Sequence, residues 1–110
     1  MPDILLSLHF NSSANSNVKG ASTYYKHIGF RSLTQTLLNR LLELELSEFG
    51  NVGNFNFTLN TPTDFPNSLV EIAFLSNPED EKKILDPRFQ NAVAKKIYKG
   101  IKDWLKWVRK

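Results

Sequence analysis

One carboxylate in the middle of an apolar run constrains this chain more than any other feature. Ser68-Leu69-Val70-Glu71-Ile72-Ala73-Phe74-Leu75 reads as a buried strand, and Ser76-Asn77-Pro78 breaks it where a helix begins. Burying an ionised Glu without a partner costs several kcal/mol, so Glu71 needs a cation, a proton or an opening to solvent. It also lies near the C-terminal end of its strand, where open α/β sheets keep their ligand sites. Glu71 is therefore either a working residue or a strand-end acid that pairs with a lysine or turns to water.

The remaining elements supply a sheet around that strand. Residues 3–10 are apolar enough for a central strand, with Ile4, Leu6 and Leu8 on one face and Leu5, Ser7 and His9 on the other. His9 thus closes the first strand much as Glu71 closes a later one. A loop rich in Asn and Ser follows, then a β-branched and aromatic strand over 20–26. Ser32 with Gln35 forms a capping box, and Leu33, Leu37, Leu38, Leu41, Leu42 and Phe49 recur at helical spacing up to a stop at Gly50. A short strand is expected over 51–60, around Phe55, Phe57 and Leu59. Asn77 with Pro78 caps a brief helix ending near Leu85, and Asp86-Pro87 opens the last one. Phe89, Val93, Ile97, Ile101, Leu105 and Val108 form the buried face of that helix, flanked by Trp104 and Trp107. The order is β β α β β α α: an α/β fold, an open sheet of about four strands with helices packed on it, forming a single domain over 1–110.

Composition removes several functional classes. There is no cysteine, hence no disulfide and no thiolate metal site. No apolar run approaches the roughly 20 residues of a membrane span, and Met1-Pro2-Asp3 leads into Ile4-Leu5-Leu6 without the basic segment of a signal peptide. Neither a glycine-rich phosphate loop nor a nucleophilic-serine elbow occurs. His9 and His27 are the only histidines, and their spacing makes no metal motif; His9 is either a hydrogen-bonded structural residue or a ligand. The net charge of +3 conceals an asymmetry, because residues 87–110 carry eight of the fourteen Lys and Arg against one acid, +7, leaving −4 elsewhere. These lysines lie opposite the apolar stripe of the last helix, so they read as a solvated face and no nucleic acid is expected as a partner.

Two segments, Leu6-Ser7-Leu8-His9-Phe10-Asn11 and Leu69-Val70-Glu71-Ile72-Ala73-Phe74-Leu75-Ser76-Asn77, together resemble the zinc-dependent N-acetylmuramoyl-L-alanine amidases. That family has a strand ending Ser-Ile-His-Ala-Asn and, later, Leu-Val-Glu-x-Gly-Phe-Leu-Ser-Asn. The resemblance implies a peptidoglycan hydrolase that cuts the amide between N-acetylmuramic acid and L-alanine, acting in the cell envelope or as a secreted protein. It implies His9 as a zinc ligand and Glu71 as the catalytic glutamate, taking a proton from zinc-activated water and passing it to the leaving amine. Two departures accompany it. Ala73 stands where the family has Gly, and the family's first half, with an Asp-x-Gly-His-Gly-Gly turn and two further ligands, has no counterpart here. The zinc site is then incomplete, since catalytic zinc takes three protein ligands. The chain is expected to be the C-terminal part of an amidase catalytic domain, inactive alone, and to associate with itself or with the missing N-terminal half. The alternative is a non-catalytic wall- or protein-binding remnant of the same fold.

Overall fold

The computed structural model describes residues 3–54 and 56–109. Four strands, β1 (Leu5–Asn11), β2 (Ala21–Tyr24), β3 (Glu48–Val52) and β4 (Asn67–Phe74), form one sheet in the order β1-β4-β2-β3. The β1/β4 and β2/β3 pairs are parallel, and β2 runs antiparallel to β4. Three helices complete the fold: α1 (Arg31–Leu41), α2 (Pro78–Ile84) and α3 (Pro87–Val108). Leu33, Leu37, Leu38 and Leu41 of α1 are fully buried and pack with Val70, Ile72 and Ala21 of the sheet. At about 2 kcal/mol for each buried leucine, that stripe outweighs anything a cap supplies to this helix.

The start of α1 indeed has no side-chain cap: its N-cap position is Phe30. Ser32, expected to close a capping box with Gln35, instead accepts a hydrogen bond from the Trp104 indole N–H at 3.1 Å. The helix also stops well short of Phe49. A 3-10 turn over Leu42–Leu44 leads to Glu45 in the left-handed region at φ 60°, and the Ser47 carbonyl then accepts from Ala21 N–H at 2.9 Å. That bond draws the chain into the sheet, so the third strand is 48–52 rather than 51–60. Gly50, read as a helix stop, instead sits in β3 at φ 138°, where the β2/β3 register shifts by a bulge. Beyond β3, residues 58–60 form a 3-10 turn; Phe55 lies outside the described residues.

The caps of α2 and α3 are as the sequence reads them. Asn77 accepts from Asp80 N–H at 3.0 Å and Asp86 from Arg88 N–H at 2.9 Å, each followed by proline at the first helical position. The stripe of α3 is only partly as expected. Val93, Ile97 and Trp104 are buried, whereas Val108 and Trp107 are exposed. Its main partner is α1, which it approaches at Gly100, where a Cβ would stand 3.0 Å from a Leu37 methyl. An apolar groove of about 560 Å³ lies between Phe89, Val93 and Ile97 of α3 and the sheet residues Leu8, Phe10 and Ile72.

Candidate functional site

Strand alternation divides the sheet into two unlike faces. Ala21, Val70 and Ile72 face the helices, and Thr23 joins them through Asn51, whose side-chain oxygen accepts from Thr23 at 2.9 Å and from Thr34 of α1 at 2.7 Å. The other face gathers polar groups: Ser7 and His9 from β1, Glu71 from β4, Ser22 and Tyr24 from β2. Register brings them together. His9 is the direct partner of Glu71 across the parallel pair, and Ser22 is its partner across the antiparallel pair. Glu71 is thus flanked by an imidazole on one side and a hydroxyl on the other. Both His9 and Glu71 stand slightly inside their strands, which run on to Asn11 and Phe74.

Each group is held by a neighbour. The Ser7 hydroxyl lies 2.6 Å from His9 Nε2, and the Phe57 ring meets the imidazole edge-on with centroids 6.1 Å apart. The second ring nitrogen, Nδ1, has no hydrogen-bond partner among the described residues. Ser22 and Tyr24 share a hydrogen bond of 2.8 Å. Glu71 is half-buried, and its Oε2 is buried with no partner. Burial raises the Glu71 carboxyl above the ordinary carboxylate range, and the His9 imidazole pulls it part of the way back. Of the alternatives open for this residue, neither a lysine pair nor full solvation is observed among the described residues; the carboxyl rests beside a histidine.

Sequence reasoning singled out His9 and Glu71, and the structure brings them side by side. His27 goes elsewhere: its ring N–H donates to the Thr61 carbonyl at 2.8 Å and its edge meets Phe30, so it ties down the turn before β4. Ser22 and Tyr24 were not singled out, although alternation along β2 places them on one face. Among the described residues no three His, Cys, Asp or Glu side chains converge as a metal site. The orphaned Oε2 and the open imidazole nitrogen fit one corner of a zinc centre; on their own they do not make one.

An open mixed sheet with its helices on one face and an imidazole–carboxylate pair on the other makes this an α/β domain. The chain belongs to the N-acetylmuramoyl-L-alanine amidase family, whose profile matches residues 1–103. It is 29% identical over 102 residues to a probable cell wall amidase, LytH, of Staphylococcus epidermidis, covering 93% of this chain and 35% of that protein. Among solved structures it superposes on the catalytic domain of the amidase CwlV from Bacillus (Paenibacillus) polymyxa var. colistinus with a TM-score of 0.87 at 30% identity, covering 94% of this chain and 58% of that one. The amidase of Clostridium difficile 630 gives the same TM-score, 0.87, at 28% identity and the same coverages of 94% and 58%. The chain therefore spans about a third of the curated relative and somewhat over half of the solved chains.

Proposed function

We propose that this chain is the C-terminal part of a zinc-dependent peptidoglycan amidase, hydrolysing the bond between N-acetylmuramic acid and L-alanine at the envelope or outside the cell. The observation that carries this reading is the His9–Glu71 register pair with its orphaned carboxylate oxygen, in a chain of the amidase family. In it, His9 is a zinc ligand, with the Ser7 hydroxyl on Nε2 fixing the ring. Glu71 is the general base. Its raised affinity for protons suits a group that takes one from water and returns it to the departing amine. The remaining ligands come from residues outside this chain. Support for such a second part is the bare edge of β1, where Leu8 and Phe10 are 51% and 46% exposed. A second copy of the chain is the other candidate for that edge.

The test is zinc affinity by calorimetry together with stem-peptide release from peptidoglycan, with and without the N-terminal segment of a full-length relative. The chain alone should neither hold zinc tightly nor release peptide. The mixture should do both, and Glu71→Gln in the mixture should lose roughly 10²–10⁴-fold in rate while keeping its zinc. Loss of zinc on Glu71→Gln would overturn the role given to Glu71. A second reading, a wall-binding module without catalysis, is favoured by the lack of a third donor among the described residues. It would prevail if the mixture folded, bound peptidoglycan and cut nothing.

A further inference from the structure

Four lysines of α3, Lys95, Lys99, Lys102 and Lys106, follow one another at helical spacing and are all exposed. They fall within an arc of roughly 60° on the side opposite the buried Val93, Ile97 and Trp104, in a row about 16 Å long. With Arg40 of α1 they border a shallow groove of about 340 Å³. The acids nearby are already engaged: Asp103 pairs with Arg40 at 2.6 Å, and Glu43 with Lys96 at 2.6 Å and Arg40 at 3.3 Å. Among the described residues no ion pair holds any of the four lysines. A helix face kept only for solubility interleaves its charges, whereas here like charges meet at 95/99, 99/102 and 102/106, an arrangement mildly unfavourable to the helix itself. The row lies on the helix side of the sheet, away from His9 and Glu71.

We propose that this row binds a flexible phosphodiester polymer of the cell wall, anchoring the domain by its back while the His9–Glu71 face stays open. Lysine supplies point charges that follow phosphates without demanding a fixed geometry. A single-stranded nucleic acid would call for a free aromatic platform on which to stack bases. The one aromatic ring bordering the groove, Tyr98, already carries the Lys102 ammonium 5.4 Å from its centroid. A membrane surface would call for an apolar anchor within the row, but Trp107 points about 100° away from its centre. The choice of a wall polymer over other phosphodiesters rests on the amidase reading; the recognition of linear phosphates by this row does not.

The experiment measures binding of the intact 110-residue chain to purified poly(glycerol phosphate) over a range of salt, without zinc and without hydrolysis, so the outcome is independent of whether the amidase reading holds. Lys99→Gln/Lys106→Gln is compared with Lys26→Gln/Lys82→Gln, which removes the same charge elsewhere. The native chain should bind at low salt, and the row variant should bind about tenfold more weakly, with its log–log salt slope flattened by roughly 1 to 2. The matched variant should lose far less. Equal losses in the two variants would overturn the proposal, as would failure of the native chain to bind. Tighter binding to a thymidine oligonucleotide, or to vesicles of equal parts phosphatidylglycerol and phosphatidylcholine, would overturn it too. Melting temperatures of the variants should match the native chain, since all four substituted lysines lie outside the buried core.

Discussion

Asp80 Oδ2 accepts the backbone N–H of Gly20 at 2.9 Å, joining the first turn of α2 to the residue just before β2. The same oxygen accepts from Phe74 N–H at 2.9 Å, and the side chain is 1% exposed. One buried carboxylate thus fixes the end of β4, the start of β2 and a helix N-terminus. Asp80→Ala should cost roughly 2–4 kcal/mol in urea unfolding, because two buried N–H groups lose their acceptor. Asp80→Asn retains an acceptor and should cost less. If the two variants lost equal stability, the charge at the helix N-terminus would outweigh the hydrogen bonds.

Gly20 itself admits no side chain. Its φ is 113°, and a Cβ would lie 2.3 Å from the Ser47 carbonyl oxygen that accepts the first β2/β3 hydrogen bond. Gly20→Ala should therefore destabilise by roughly 2–4 kcal/mol and loosen β3 first. Hydrogen exchange at Ala21 would report that loosening; protection there equal to the native chain would contradict the geometry.

Glu71 gives stability a pH dependence of definite sign. Its carboxyl holds a proton more tightly when folded than when unfolded, so its contribution is fully present below the unfolded value, about 4.3, and is lost as pH rises through the higher folded value. Glu71→Gln removes that slope. The melting temperature of the variant relative to native should rise with pH across the window and level off above it. A difference independent of pH would mean that the carboxyl is not held up by burial.

Trp104 separates packing from hydrogen bonding at the α1–α3 contact. Trp104→Phe keeps most of the apolar volume and loses the bond to Ser32, whose half-exposed hydroxyl can turn to water, so the cost should stay near 1 kcal/mol. Trp104→Ala also opens the core and should cost about 3–5 kcal/mol. Denaturant midpoints at unchanged slope would measure both.

Much of this molecule was legible because its signals are local. The Asn77-Pro78 and Asp86-Pro87 caps and the apolar run around Glu71 each state their conformation within a few residues, and all stand where they were read. The stretch 42–60 was misread because its decisive partners are distant. The leucine period runs on past Leu41, but Glu45 reverses the backbone, and β3 exists only because β2 offers its edge. Ser32 illustrates the same limit, since Trp104, far along the chain, claims the hydroxyl that a capping box would have used. At the site, the residue types and their common position near the C-terminal ends of two strands were readable, and these brought His9 near Glu71. The direct pairing of the two depends on the parallel register of β1 and β4, which no local pattern encodes.

That register has a consequence for biosynthesis. Leu5 pairs with Asn67 and Asn11 with Phe74, so β1 leaves the ribosome long before its partner strand exists. Through that interval the edge of β1 that meets β4 has no partner, and pairings between segments so far apart are slow to form. The nascent chain therefore carries one apolar strand edge without its native β4 partner until residue 74 has been made, available to other strands nearby. β4, which sets Glu71 beside His9, is also the last strand of the sheet to be synthesised. Chaperone dependence during expression, relieved once residues through Phe74 have emerged, is the cost of building the site across that span.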